Sequence, residues 1–180
     1  TYEAITKYAQ QTLDPIVTDV GTSTYLCHEP YSVTDLCYGL GSSIGIALGV
    51  SAAIGHSTAV IGDYGFIHSG MQSLVEGVHR KINIKVVIVN DYLSRKTGSI
   101  PHCISPTEND TLKVLSIEEL ILGCGVEQFH FLQIDENTEV PDITAAILAL
   151  PDQGVSVLLC NLMTKSNIQV SGDVSKTLVK

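Results

Sequence analysis

The chain has 180 residues, is 44% hydrophobic and 16% charged, and carries 10 Lys and Arg against 19 Asp and Glu, a formal net charge of -9. That length suits one domain and removes roughly 70% of the unfolded surface from water, so a core forms without a disulfide framework or a structural metal. The acidic balance, with no run of Lys or Arg on a helical face, argues against nucleic acid as a partner. The absence of a signal-type segment or a run of about 18 apolar residues reads as a soluble, unexported, cytoplasmic chain with no membrane partner.

In chain order, YEAITKYAQQTL (2–13) puts apolar side chains on one helical stripe that stops at Asp14-Pro15, and IVTDV (16–20) follows as a short, branched strand. After GTSTYLCHEP and DLCYGLG, the segment 42–55 is rich in Ser, Ala and Gly and reads as a thin helix able to lie close to a sheet or a ligand. Each glycine lowers its helicity by up to about 1 kcal/mol, which close packing or a ligand must offset. STAVIGD (57–63), SGMQSLVEGVHRK (69–81) and IKVVIVND (84–91) form a strand, helix, strand unit of the right-handed parallel kind.

From Tyr92 to Thr111 there is no periodicity over 20 residues that include Gly98, Pro101 and Pro106, a length that points to function or disorder. The pattern resumes with a helix over 116–125, a strand over 128–135, a helix over 140–150 with Pro141 in its first turn, and a strand over 154–161. Strands alternating with helices imply a three-layer α/β/α fold around one mostly parallel sheet. The expected division is one domain over 1–163 and a polar tail over 164–180, with no internal repeat.

Trp is absent and only ten aromatics are present, so small and branched aliphatic side chains must fill the core, as parallel sheets require. The cysteines at 27, 37, 103, 124 and 160 form no CxxC pair and no even set, which excludes a zinc or iron-sulfur site built from them and reads as reduced thiols. Cys124 and Cys160 sit in apolar runs and are expected in the core. Cys37 and Cys103 lie beside glycine-rich or loop segments, where either packing or a ligand contact is possible.

In open parallel sheets the ligand crevice lies at the carboxyl ends of the strands. Gly62-Asp63 and Asn90-Asp91 end two successive strands, and the two acids, 28 residues apart, should emerge at the same sheet edge. Two hard oxygen ligands there suit Mg²⁺ or Ca²⁺ shared with a diphosphate. The plainer reading of each acid alone is a helix N-cap or turn former.

These residues carry a resemblance. GDYGFIHSGMQSLVEGV, NIKVVIVND and TGSIPH resemble the diphosphate-binding domain of thiamine-diphosphate enzymes, and most specifically the large subunit of indolepyruvate:ferredoxin oxidoreductases among the 2-oxoacid:ferredoxin oxidoreductases. DLCYGLGSSIGIALG is similar to that branch's approach to the cofactor. The resemblance covers residues 15–105, with element order continuing to 161. It implies a thiamine-diphosphate-binding fold, with thiamine diphosphate and Mg²⁺ as cofactors. Asp63, Asp91 and the carbonyl of Leu93 would be metal ligands. Gly62, Tyr64 and Gly65 would meet the diphosphate. Tyr38, Leu40 and Gly41 would contact the cofactor, Leu40 as the wedge between its two rings or else as an ordinary core leucine.

His68 would be catalytic or would cap and pack the next helix, and His102 has the same pair of readings. The resemblance further implies a partner domain or subunit that binds the pyrimidine and supplies an activating glutamate. Iron-sulfur clusters would sit on another domain or subunit, with ferredoxin and coenzyme A as further partners in an oligomer.

The sequence departs from the family pattern at three places. Tyr64 replaces a small residue after Gly-Asp, and Asn90-Asp91 reverses the branch's Asp-Asn. Arg95-Lys96 stands where small or apolar residues are usual, either to recognise a substrate carboxylate or as a solvated loop pair. A non-oxidative decarboxylase of the sulfopyruvate or phosphonopyruvate type and a degenerate, non-catalytic domain are the alternative readings.

Overall fold

The protein is described by a computed structural model that covers residues 1–107, 109 and 111–162. The tail expected over 164–180 lies outside the described residues. Helix α1 (Tyr2–Gln11) buries Ala4, Ile5 and Tyr8 and delivers the chain to β1 (Ile16–Asp19). A 3₁₀ turn (Thr22–Cys27) leads to β2 (Leu36–Tyr38), a strand within DLCYGLG that a three-residue, fully exposed run does not announce in sequence. Helix α2 (Ser43–Ile54) ends at Gly55, whose φ of 99° and N–H bond to the Ser51 carbonyl form a left-handed cap.

Strand β3 (Thr58–Gly62) runs into helix at once: α3 (Asp63–Gly65), a π-helical segment (Phe66–Gly70) and α4 (Met71–Arg80) follow without a linker. Periodicity placed that helix six residues later, because GDYGFI carries no amphipathic signal. After β4 (Ile84–Asn90), the aperiodic stretch holds a two-stranded antiparallel hairpin of β5 (Leu93–Ser94) and β6 (Ile100–Pro101). Then come α5 (Ile117–Gly123), β7 (Gln128–Ile134), α6 (Val140–Leu148) and β8 (Val155–Leu162). Two of these helices start as their sequences dictate. The Ser116 hydroxyl caps α5 by accepting the Glu119 N–H, and α6 opens on a Glu139/Asp142 capping box with Pro141 in the first turn.

The six long strands form one sheet in the order β2-β1-β3-β4-β8-β7, every pair parallel. Side chains alternate between its faces. Val17, Ala59, Ile61, Val86, Ile88, Val157 and Leu159 pack with α2, α4 and α5, while Ile16, Val60, Val87, Leu158 and Cys160 pack with α1 and α6. The result is the three-layer α/β/α arrangement, with Cys124 and Cys160 buried as expected and Cys37 and Cys103 exposed. The chain leaves β1 toward β2 and leaves β3 in the opposite direction toward β4. The switch point, and so the natural crevice, lies at the carboxyl ends of β1 and β3. Among the described residues no helix is long and apolar enough to cross a membrane.

Candidate functional site

A cleft open to solvent lies at that switch point. Four segments wall it: Asp19–Thr22 beyond β1, Leu40 before α2, Gly62–Gly65 at the β3–α3 junction, and Asp91 with Leu93–Thr97 beyond β4. The cleft therefore gathers Leu40, Gly62, Asp63, Tyr64, Gly65, Asp91 and Leu93. Gly41 lies buried just behind it. Tyr38, 75% exposed on the edge strand, and His68, exposed on the π-helical segment, stand outside its wall.

Asp63 is buried, and its carboxylate accepts two backbone N–H groups, from Tyr64 and from Tyr92, each at 2.7 Å. The second bond ties the end of β4 to the start of α3. Tyr92 adopts a left-handed φ of 64°, unusual for an aromatic residue, and its carbonyl is taken by the Ser105 hydroxyl. Asp91 accepts the Leu93 N–H at 3.2 Å on one oxygen and Arg95 Nε at 2.6 Å on the other. Lys96 Nζ sits 4.4 Å over the Tyr25 ring. Arg95-Lys96 is thus an exposed pair of rim cations, each in contact with a neighbouring side chain.

The reversed order Asn90-Asp91 has a structural reason. Asn90 Nδ2 donates to Asn161 Oδ1 at 2.7 Å, Asn161 Nδ2 donates to Gln133 Oε1 at 2.9 Å, and Gln133 Nε2 donates back to the Asn161 carbonyl at 2.8 Å. This amide ladder crosses β4, β8 and β7 at the carboxyl edge. A carboxylate at 90 lacks the N–H that the ladder needs, so the acid falls to 91, on the cleft side.

His102 comes from the far end of the hairpin. Its Nε2 lies 3.5 Å from Asp63 Oδ2 and its ring stands edge-on to Tyr64 at 5.3 Å, yet both ring nitrogens are buried without a hydrogen-bond partner. Tyr64 lies between His102 and His68, whose ring centroid is 6.1 Å from its own.

Asp19 escaped the sequence reading, although an acid closing a short buried strand before Gly-Thr-Ser repeats the pattern of Asp63. It is fully buried, accepting the Ser23 hydroxyl at 2.5 Å and the Gly41 N–H at 2.9 Å. Burial pushes its carboxyl above the usual range, while those two hydrogen bonds pull it back. A side chain on Gly65 would overlap Asp19 Oδ2, so the glycine makes room for the acid.

The donors suit a hard divalent ion that completes its shell from a ligand. Asp63, Asp91 and Leu93 all line the cleft, while no cluster of three or more His, Cys, Asp or Glu side chains is arranged for a metal among the described residues. Mg²⁺ is held in that manner, by one or two carboxylates plus phosphate and water oxygens.

Comparison with known proteins agrees with this geometry. The family model for the thiamine pyrophosphate enzyme C-terminal TPP binding domain matches residues 19–159. The indolepyruvate oxidoreductase subunit IorA of Methanothermobacter marburgensis is 35% identical over 113 residues, covering 61% of this chain and 18% of that protein. The same subunit of Archaeoglobus fulgidus is 27% identical over 144 residues, covering 78% of this chain and 23% of that protein. The chain thus spans about a fifth of the length of the curated relatives it matches.

Among solved structures, 2-oxoglutarate:ferredoxin oxidoreductase from Magnetococcus marinus superposes with a TM-score of 0.69 at 13% identity, over 89% of this chain and 60% of that one. Benzoylformate decarboxylase from Polynucleobacter necessarius gives 0.59 at 17%, over 89% and 33%. These two likenesses establish the fold. With the family model running from the Asp19 strand end to Leu159, and the cleft lying at the switch point of that same sheet, the chain belongs to the thiamine pyrophosphate enzymes as their C-terminal TPP binding domain.

Proposed function

We propose that this domain binds thiamine diphosphate and Mg²⁺ within an oxidoreductase that decarboxylates an indolepyruvate-like 2-oxoacid to an acyl-CoA, with ferredoxin as electron acceptor. The convergence of Asp63 and Asp91 on one cleft at the β1/β3 switch point carries the reading. The printed name of the curated relatives supports the substrate class. When bound, the cofactor supplies a carbon nucleophile for the 2-oxoacid carbonyl and an electron sink for the departure of carbon dioxide.

The chain's own residues prepare that chemistry. Asp63, Asp91 and the Leu93 carbonyl hold the ion, while Gly62, Tyr64 and Gly65, at the N-terminal end of a helical run, meet the diphosphate. Leu40 and Gly41 shape the ring-binding wall. Arg95 yields Asp91 to the ion and is then free to turn to a phosphate or to the substrate carboxylate. Tyr38 and His68, outside the cleft wall, face the half of the site that a pyrimidine-binding partner completes with its glutamate. Iron-sulfur clusters belong to another domain or subunit of the oligomer.

The test is an assay of the full-length protein with its partner subunit, indolepyruvate and coenzyme A. Coenzyme-A-dependent reduction of ferredoxin or a viologen dye is expected. Aldehyde formation without reduction would instead mark a non-oxidative decarboxylase. The Arg95–Asp91 ion pair favours a second reading, a degenerate domain whose metal site is filled by its own guanidinium. Mg²⁺-dependent cofactor binding rejects it.

A further inference from the structure

We propose that Asp19 and Ser69 are positioning residues that clamp the Leu40–Gly41 peptide from opposite sides and so fix how the Leu40 side chain meets the cleft. The peptide's N–H, on Gly41, donates to Asp19 Oδ2 at 2.9 Å, and its carbonyl, on Leu40, accepts the Ser69 hydroxyl at 2.9 Å. In a planar trans peptide these two groups point in opposite directions. One partner comes from the end of β1 and the other from the π-helical segment, a local widening frequent at functional sites.

The surroundings leave this peptide one placement. Gly41 sits at a φ of 75°, and a Cβ there would lie 2.6 Å from the Gly65 carbonyl and on the Ser69 hydroxyl. Asp19 is itself immobilised, with Ser23 on its other oxygen and Gly65 lacking the side chain that would displace it. Among the described residues it has no cationic partner, so a fully buried carboxylate is retained with only hydrogen bonds to hold it. Its strong acceptor is directed at the one N–H that orients the only α2-side residue on the cleft wall, Leu40. His68 Nδ1, 3.2 Å from Ser69 Oγ, extends the chain to the candidate catalytic imidazole.

The inference rests on the reading that thiamine diphosphate binds with Leu40 against its rings, and its test separates the two. In the full chain, amide exchange at Gly41 should quicken about tenfold or more in D19A, which loses a hydrogen bond to a charged group, and about fivefold in S69A, which loses a neutral one, while Tyr64 and Tyr92 keep their protection. S69A removes only a hydroxyl and keeps the test open should D19A fail to fold. D19N, which retains an acceptor oxygen, should restore part of the Gly41 protection.

Thiamine diphosphate affinity should fall about tenfold or more in D19A and about fivefold in S69A, whereas Mg²⁺-pyrophosphate, which has no rings for Leu40 to meet, should bind S69A within about twofold of the parent protein. In an L40A background D19A should add nothing further. Unchanged exchange at Gly41, an equal fall in pyrophosphate affinity, or a D19A effect undiminished by L40A would each overturn the clamp. If the parent protein binds neither ligand, the proposed function fails, while exchange at Gly41 still decides the clamp.

Discussion

Three glycine-to-alanine changes test the packing around the cleft as a graded series. At Gly41 alanine must take a φ of 75°, which costs a non-glycine residue about 1–2 kcal/mol. Its methyl would also lie 2.6 Å from the Gly65 carbonyl, a helix backbone atom that cannot swing aside, and overpacking of this kind costs about 1–3 kcal/mol. Displacing the Ser69 hydroxyl from the Leu40 carbonyl loses a further 0.5–1.5 kcal/mol or so. The sum is about 2.5–6.5 kcal/mol.

Gly55 shares the left-handed backbone, with a φ of 99°, but a Cβ there meets nothing within 4 Å, so G55A should cost only the backbone part, about 1–2 kcal/mol. Gly49, inside α2 with open space around it, should gain about 0.4–1 kcal/mol on change to alanine. Urea unfolding followed by far-ultraviolet circular dichroism, with the slope m checked for constancy, reads all three. A G41A protein no less stable than G55A would show that the Gly41, Gly65 and Ser69 atoms are not in the arrangement described.

Other expectations follow from the same atoms. N90D removes the donor to Asn161 and places a second carboxylate oxygen at the Tyr92 N–H that Asp63 already uses; a loss of about 2–5 kcal/mol in urea unfolding is expected, and a neutral result would dissolve the amide ladder. R95A frees Asp91 of its guanidinium, so Mg²⁺ should bind several-fold more tightly by calorimetry; unchanged or weaker binding would mean that the ion pair does not compete with the metal. A maleimide should label Cys103 and, more slowly, Cys37, whose thiol burial pushes up, while Cys124 and Cys160 should react only on unfolding.

Burial also pushes Cys160 up to about 12, so the folded chain resists its ionisation when the unfolded chain already allows it. Stability should therefore be intact below about pH 9 and fall by on the order of 1 kcal/mol per pH unit as pH rises from there toward 12. C160A should flatten that slope, and an unchanged slope would assign the alkaline loss to other groups.

The layers and the two strand-end acids were legible because their signals are local. Branched runs such as KVVIVN and TAVIG read as buried strands, and each ends on an acid at a Gly or Asn, which is enough to place Asp63 and Asp91 at one edge. What escaped depends on contacts distant in sequence. The first turns of the helix after Gly62 carry no apolar stripe because Asp63, Tyr64 and Gly65 face the cleft, not the core, so periodicity begins only further along. Asp19 looked like the tail of a strand because its partner, the Gly41 N–H, lies 22 residues away in a segment that composition marks only as glycine-rich. Asn90 looked like half of an inverted motif until Asn161, 71 residues on, supplied the reason. Arg95 was open between a carboxylate-recognising and a solvated residue because nothing in a loop sequence reveals that it folds back onto Asp91.

The central claim is that Asp63 and Asp91 form a divalent-ion site through which the cleft holds a diphosphate. It is tested most directly by calorimetric titration of thiamine diphosphate into the full-length protein with Mg²⁺ and then with EDTA, repeated on D63A and D91A. Saturable binding with Mg²⁺ that disappears with EDTA and in both variants is the predicted result. Binding that persists unchanged without the metal, or in either variant, would contradict it.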